Sequence, residues 1–390
     1  MTKTKKQLIL ILIIPVAILV AYFSLPKYAQ TALIYQKVGI DDYSIFENRE
    51  VNVGDPQEWE THEILGELKI DEEALQQFNE LQTIAYLIIK DDKIIFEEYW
   101  DGYNTQSLTN SFSMAKSIVG LAVGAAIDDG SIESVFQKIV DFIPEFQTEQ
   151  NKDLSIRDVL TMSSGLNWDE SYGSLFSTTT EAYYGTDIRN LIYSLKVIEK
   201  PGVEFKYLSG NTQLLAMVVE SATGKKLANY VAEKFWIPMG AVNKALWCLD
   251  DVDGMEKAYC CFNSNARDFA RWGQLVLNNG AWKNDTLISP EYVQVSTQPA
   301  SHLVDETGNN INYFGFQWWI QNVNNWHVPY MRGILGQYVF VIPEENAVVV
   351  RLGHKRTSEK KNHHPVDTWL YLETAKKIID EYKLYNTTEG

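Results

Sequence analysis

The segment from Ser113 to Asp129 constrains the fold more than any other part of this sequence. Its residues are small and apolar almost all round a helical wheel, and Gly130 follows as a stop signal. A helix without a polar face has no side to present to water, so it belongs in the middle of a domain. The sequence therefore predicts a buried central helix over 113–129.

Strand patterns lie on both sides of this helix in the chain. The runs 84–89 and 94–99 flank the polar turn Lys90–Lys93 and predict a β-hairpin. Strand character returns at 314–320, 337–342 and 347–352, and 369–382 predicts a closing helix. Helical signals dominate 131–279, including a short helix opened by Ser155 and a helix over 211–223 that Gly224 ends.

Strands early and late with helices between them predict an α+β fold, in which helices flank an antiparallel sheet built from both ends of the chain. We expect residues 76–128 and 203–390 to form the α/β catalytic domain and residues 129–202 to form an inserted helical lobe. Residues 28–75 are acidic and lack a long periodic segment, which predicts a stalk and peripheral packing.

The N-terminus predicts a membrane anchor. Three lysines within the first six residues precede an apolar run over 8–25 that Pro26 and Lys27 close. Such a run can nearly span a bilayer, and no good small-x-small cleavage site follows it. We expect residues 1–27 to be an uncleaved transmembrane helix, with a cleaved signal as the alternative. The lysines place the catalytic body on the extracytoplasmic side, periplasmic or extracellular.

Charge and cysteine content exclude two classes of protein. The net charge of −17, with no basic block beyond the extreme N-terminus, excludes nucleic-acid binding, which needs a basic surface. The cysteines are Cys248, Cys260 and Cys261, an odd number whose adjacent pair is poorly placed to bridge to itself. We interpret them as buried apolar residues, and we expect neither a metal nor an organic cofactor.

The first turn of the predicted helix carries a reactive pair, Ser113 and Lys116. Residues three apart share a helix face, so the lysine amine can reach the serine hydroxyl. A buried lysine with a lowered pKa can act as a base towards serine, and the helix N-terminus favours negative charge at that position. Ser-x-x-Lys alone is weak evidence. A second copy, Ser358–Lys361, lies in a charged stretch typical of a solvated loop.

Further motifs follow this pair in a specific order. They are Ser113-Met-Ala-Lys116, Leu160-Thr-Met-Ser-Ser-Gly-Leu-Asn-Trp168, Phe205-Lys-Tyr207-Leu-Ser-Gly-Asn211 and Gly336-Gln337-Tyr338. In this order they resemble the serine β-lactamase and penicillin-binding-protein superfamily, in its class C and esterase branch. The match is most similar to the 6-aminohexanoate-dimer hydrolase group and runs from about residue 84 to residue 352.

The resemblance implies an acyl-enzyme on Ser113, formed with Lys116 and Tyr207 as proton carriers. It implies an oxyanion hole made by the backbone N–H groups of Ser113 and Gln337. It also implies that Tyr172, Asn211 and Gly336 contact a small-molecule amide or ester substrate.

The sequence departs from the class C pattern in two places. Class C enzymes carry Tyr-x-Asn, whereas Asn211 stands four residues after Tyr207. Their Lys-Thr-Gly strand edge corresponds here to Ile334-Leu335-Gly336, which has no lysine to bind a β-lactam carboxylate. A β-lactamase or DD-peptidase of low activity is therefore one alternative function.

Three further classes of protein have less support in the sequence. A Ser-His-Asp hydrolase lacks its Gly-x-Ser-x-Gly motif, and His354, His363 and His364, the ligands of a conceivable zinc site, lie in a basic, exposed stretch. A catalytically silent envelope binding module on the same fold is also possible, because fold does not fix function.

Acidic residues near the expected cleft bear on the charge of the substrate. Asp169, Glu170 and Glu181 could favour a cationic substrate end. A solvated loop face explains the same three residues equally well.

Overall fold

A computed structural model describes the backbone of residues 3–388 and the side chains of residues 14–387. The described helices are α1 (Lys3–Ser24), α2 (Lys27–Tyr35), α3 (Glu72–Glu80), α4 (Ala115–Asp128), α5 (Ile156–Leu160), α6 (Thr178–Tyr184), α7 (Ile188–Tyr193), α8 (Ser209–Thr223), α9 (Leu227–Val231), α10 (Ala266–Leu277), α11 (Pro290–Ser296) and α12 (Asp367–Thr388).

The described strands are β1 (Asn48–Val51), β2 (Glu60–Thr61), β3 (Thr83–Lys90), β4 (Lys93–Tyr99), β5 (Thr109–Asn110), β6 (Ala245–Cys248), β7 (Phe262–Ser264), β8 (Ala281–Trp282), β9 (Asp285–Thr286), β10 (Trp319–Val323), β11 (Trp326–Gly333), β12 (Gln337–Ile342), β13 (Ala347–Gly353), β14 (Lys360–Lys361) and β15 (His364–Pro365).

The main sheet confirms the predicted α+β architecture. Its strand order is β10-β11-β12-β13-β3-β4-β2, and all of its pairs are antiparallel except β2 with β4. The pairing of β13 with β3, in which Val349 lies opposite Ile88, joins the late strands to the early hairpin. Asp91 and Asp92 both have positive φ, as the tight turn of that hairpin requires.

Helices cover both faces of this sheet. Alternate residues of β3 point to opposite sides, so Leu87 packs into the core that holds α4, α8 and α10, while Ile88 packs into the core that holds α12. All eight residues of β3 are buried as a result. A strand with two buried faces reads as a continuous apolar run, which is how 84–89 appears in the sequence.

Helix α4 lies in the middle of the domain, as its composition predicts. Twelve of its fourteen residues are buried, and it packs against α8. The helix begins at Ala115, and Ser113 belongs to a preceding 3-10 turn over Phe112–Met114. Phe112 holds a φ of 44°, a strained value for a bulky residue, and its N–H is bonded to the Asn110 side chain. This turn fixes the direction in which Ser113 points.

The structure adds strands that the sequence did not predict. Strand β11 contains Pro329 and lies between β10 and β12. A second sheet is ordered β1-β6-β7-β5, in which β1 lies in the expected stalk and β6 and β7 lie in the segment that was expected to be helical. Within residues 28–75, Ile40 and Val51 are fully buried, so this segment packs on the catalytic body instead of extending from it.

One expectation from the sequence needs correction, and another falls largely outside the described residues. Cys260 and Cys261 form a disulfide, so our interpretation of both as free apolar residues is wrong, while Cys248 is free and buried as expected. In the described part of the chain, no helix is long and apolar enough to cross a membrane. Much of the expected anchor falls on residues 1–13, whose side chains lie outside the described residues, so the anchor and the extracytoplasmic location stay predictions.

Close packing of α4 gives a test of the fold. A Cβ at Gly124 would come within 2.4 Å of the Tyr292 ring. Overpacking of this kind costs about 1–3 kcal/mol, so we expect Gly124→Ala to lower the free energy of unfolding by at least that amount. Gly173 has nothing within 4 Å of such a Cβ, and Gly173→Ala is the matched control. Denaturant unfolding of both variants measures the effect, and equal stability would contradict the packing.

Candidate active site

A cleft of about 550 Å³ opens where the main sheet meets the helices that follow the early hairpin. The chain segments that meet there include the 3-10 turn with Ser113, the loop with Glu170 and Tyr172, the turn with Tyr207, and Ile334 directly after β11. Residues from 305–319 and 356–363 complete the lining. These segments are far apart in sequence. The cleft therefore exists only in the folded chain.

Lys116 lies beside Ser113, as the spacing predicts. Its Nζ is 3.1 Å from Ser113 Oγ, and the lysine is 2% exposed. Nζ also donates to Ser209 Oγ at 3.1 Å and to the Tyr259 carbonyl at 2.8 Å. Burial lowers the pKa of Lys116 to about 8, against a smaller raising effect of the Glu170 charge. About a tenth of the amine is then neutral at pH 7.

The partners of Lys116 direct its lone pair at Ser113. A carbonyl can only accept, and the Ser209 hydroxyl donates its one proton to Glu170 Oε1 at 2.7 Å. Both groups therefore accept from Lys116. The neutral amine has two N–H donors, so its lone pair remains for the Ser113 hydroxyl. The network makes Lys116 a base towards Ser113.

Glu170 orients this network from one step away. Its other oxygen accepts the Ser209 backbone N–H at 2.6 Å, and Oε1 also accepts the Tyr172 hydroxyl at 2.6 Å. Desolvation of that hydroxyl, and then the Glu170 charge, raise the pKa of Tyr172 well above its usual value. Tyr172 as a whole is 57% exposed and lines the cleft, so it forms part of the mouth of the cleft.

Tyr207 closes the other side of Ser113. Its ring centre is 5.1 Å from Lys116 Nζ and contacts the rings of Phe314 and Trp319. Burial raises the pKa of Tyr207 to about 12, although its hydrogen bond with Ser113 and the charge of Arg332 lower it. The phenol is therefore protonated at neutral pH and can give a proton to a leaving group.

The predicted strand-edge residues do not line the cleft. Gln337 is fully buried, and its side-chain amide nitrogen donates to the Ile334 and Gly353 carbonyls. Gly336 faces inwards, since a Cβ there would come within 2.1 Å of the Arg351 guanidinium. The order of motifs in the sequence identifies this strand edge, but it does not show whether Gly336 and Gln337 or the residues just before them face the cleft.

Gly333 and Ile334 take that place. A Cβ on Gly333 would lie 2.3 Å from the Ser111 carbonyl, so only glycine lets this strand end approach the serine turn. Ile334 follows Gly333 and lines the cleft. It is the first residue of a 3-10 turn, so its backbone N–H has no acceptor within that turn. Ile334 is better placed than Gln337 to supply the second oxyanion donor.

Asn211 also lies away from the site. It is fully buried, and its amide nitrogen is bonded to Met162 Sδ. The residue that contacts Lys116 is Ser209, two positions after Tyr207, where class C enzymes carry asparagine. That position is the signal in the sequence for Ser209, which was not among the predicted site residues. Glu170 was noted only as one of several acidic loop residues.

Comparisons with known proteins agree with this arrangement. The sequence profile described as Beta-lactamase matches residues 72–370. A 6-aminohexanoate-dimer hydrolase of Paenarthrobacter ureafaciens is 24% identical over 319 residues, which cover 78% of this chain and 80% of that protein.

Solved structures share the fold. A Bacillus anthracis protein that carries the 6-aminohexanoate-dimer hydrolase name superposes with a TM-score of 0.76 at 19% identity, over 88% of this chain and 93% of that one. A family VIII carboxylesterase superposes with a TM-score of 0.63 at 15% identity, over 78% of this chain and 96% of that one.

The Lys116 pKa gives a pH test of the network. Because the neutral amine is the base, covalent labelling of Ser113 by a fluorophosphonate should accelerate as pH rises through about 8. The Glu170 charge raises the pKa of Lys116, so Glu170→Gln should move this rise to lower pH. Glu306 also lines the cleft but is not a charge that shifts Lys116, which makes Glu306→Gln the control. A rise at unchanged or higher pH in Glu170→Gln would contradict the network.

Proposed function

Because the chain belongs to the Beta-lactamase family, we propose that it is a serine hydrolase that cleaves an amide or ester bond through an acyl-Ser113 intermediate. The observation that carries this proposal is the buried Lys116 amine, which has a lowered pKa and lies 3.1 Å from Ser113 Oγ. A serine hydroxyl needs such a base to become a nucleophile at neutral pH.

Acylation follows from the geometry. Lys116 accepts the proton of Ser113 as Oγ attacks the substrate carbonyl carbon. The backbone N–H groups of Ser113 and Ile334 stabilise the oxyanion that forms. The tetrahedral intermediate then collapses and the carbon–leaving-group bond breaks. Tyr207 gives its proton to the departing amine or alkoxide, and the proton on Lys116 then passes to the Tyr207 phenolate.

Deacylation reverses the proton path with water in place of the leaving group. The water attacks the acyl carbon, and its proton passes to the neutral Lys116 amine. The ester bond to Ser113 then breaks, and Oγ recovers a proton from Lys116. Ser209 and Glu170 transfer no proton in this scheme. Their hydrogen bonds orient the Lys116 amine so that its lone pair faces Ser113 in both halves of the reaction.

The choice of amide or ester bonds is supported by the relatives. The similar proteins include one named for hydrolysis of an amide-linked dimer and one carboxylesterase. A silent binding module on the same fold is disfavoured. Binding alone does not require a buried lysine, a serine and a tyrosine to lie side by side.

Loss of the reactive pair gives the first test of this proposal. We expect Ser113→Ala to abolish fluorophosphonate labelling and ester turnover, and Lys116→Ala or Tyr207→Phe to reduce turnover by a factor of about 10²–10⁴, the usual contribution of a general acid or base. Turnover of 4-nitrophenyl esters and intact mass after labelling measure these effects.

The second Ser-x-x-Lys copy supplies the matched control. Ser358 and Lys361 are exposed, and Ser358→Ala and Lys361→Ala should leave labelling and turnover unchanged. Near wild-type turnover in Lys116→Ala would overturn the proposed roles.

Penicillin turnover tests the alternative of a β-lactamase. No lysine stands at Ile334–Gly336, the strand-edge position from which class C enzymes bind the β-lactam carboxylate, and the cations that line the cleft stand at other positions of the chain. We expect kcat/KM for benzylpenicillin to be at least about a hundredfold below that for a good ester, the discrimination typical of a missing polar contact. Spectrophotometric assays of both substrates give the ratio. Comparable values would favour the alternative.

A further inference from the structure

One wall of the active-site cleft carries a cluster of positive charge. Arg332 at the end of β11, Arg356 after β13 and Lys360 in β14 all line the cleft that contains Ser113. We refer to these three residues as the cationic wall. The wall does not follow from the chain's composition, since acidic residues outnumber basic ones by 51 to 34.

The cationic wall lacks internal compensation. Among the described residues, none of its three members forms an ion pair within 4 Å. Lys206 lines the same cleft but is paired with Glu199 and Glu204. Burial lowers the pKa of Lys360, and the charges of Arg332 and Arg356 lower it further, so the members repel one another. A negative ligand would remove this repulsion.

Arg332 is already held in position for a ligand. Its guanidinium lies over the Trp319 ring, with Cζ 3.1 Å from the ring centre. The bonds it makes, to the His363 carbonyl and the Tyr330 hydroxyl, both start from Nη1. Nε and Nη2 have no partner in the described part of the chain. A fixed guanidinium with free donors matches the oxygens of a carboxylate or phosphate.

Three of the four acidic residues that line the cleft are engaged elsewhere. Glu204 is one of them and is paired with Lys206, whereas Glu306 has no hydrogen bond or ion pair among the described residues. Glu170 accepts from Ser209 and Tyr172, and the Asp305 carboxylate accepts from Thr307 and the Asn309 backbone. Glu181 lies on α6 and does not line the cleft. The cationic substrate end that acidic residues 169, 170 and 181 suggested therefore has little support.

We propose that the substrate carries an anionic group, and that Arg332, Arg356 and Lys360 bind this group while the scissile carbonyl is held at Ser113. This proposal rests on the proposed hydrolase function and names its substrate class. Three neighbouring cations match the charge of a phosphate better than that of a carboxylate, so we expect a phosphate-bearing ester or amide.

Direct binding tests the cationic wall without turnover. Calorimetric titration of the full-length chain with glycerol 3-phosphate, glutarate and uncharged glycerol compares the two anions with a neutral molecule. We expect glycerol 3-phosphate to bind most tightly, and added salt to weaken it. Arg356→Gln should weaken this binding about tenfold, the value of one charge-assisted hydrogen bond. Lys355→Gln removes the neighbouring charge, which does not line the cleft, and should change nothing.

Matched substrates extend the test to catalysis. The butyrate ester of glycerol 3-phosphate is compared with glycerol monobutyrate, and the 4-nitrophenyl monoester of glutarate with 4-nitrophenyl pentanoate. We expect kcat/KM to be higher for the anionic member, and Arg356→Gln to reduce the anionic-to-neutral ratio about tenfold. Tighter binding of glutarate than of glycerol 3-phosphate would support the wall but assign it to a carboxylate.

The results separate this proposal from the proposed function. In one outcome, the chain turns over esters and is labelled at Ser113 but binds neither anion and does not prefer anionic esters. This outcome would overturn the role of the cationic wall and leave the hydrolase proposal intact. In the other outcome, the chain binds glycerol 3-phosphate, Arg356→Gln loses this binding, and Ser113 is not labelled. This outcome would support the anion site and overturn the hydrolase proposal.

Discussion

The removal of one amine from water is the constraint on which the rest of this site depends. Lys116 is buried between α4 and the residues around Tyr259, and its oxygen partners are two hydroxyls and one carbonyl. A carboxylate in direct contact would hold the amine charged and end its use as a base. Glu170 is instead kept one hydroxyl away, behind Ser209, so it orients the network without forming an ion pair.

The fold supplies this dry position by packing an apolar helix against the inner face of a sheet. Helix α4 has no polar face to compete for the lysine, and α8 covers it from the other side. The sheet that supports both helices closes only when β13 pairs with β3, which brings together the two ends of the catalytic body. The same pairing sets the end of β11 opposite the serine turn, where Gly333 permits contact.

Charge is distributed unevenly between the cleft and the molecule. The chain as a whole carries a net charge of −17, yet the cationic wall places three unpaired positive side chains in the cleft that contains Ser113. Charges that line a concave, low-dielectric cleft act more strongly than the same charges on an open surface. An acidic body with three unpaired cations in its cleft repels most anions at a distance and accepts one only at a defined place. This combination gives selectivity among esters or amides that share the same reacting bond.

Local signals in the sequence determined much of the fold. The apolar composition of 113–129 required a buried helix, Asp91 and Asp92 marked the hairpin, and the apolar runs 337–342 and 347–352 became β12 and β13. The spacing of Ser113 and Lys116 fixed their contact, because i and i+3 share one helix face. Strand β11 was missed because Pro329 and Gly333 interrupt its pattern, and neighbours on both sides of it override that local preference.

Only the tertiary structure decided which side chains complete the site. Ser209 and Asn211 both follow Tyr207 closely, but successive helical residues turn by about 100°, so two positions separate a cleft-facing side chain from a core-facing one. Gly333 and Gly336 differ in the same way, since one touches the serine turn and the other faces Arg351. The chain order of motifs sets which segments meet. The direction of each side chain depends on the packing around it, which no short sequence window contains.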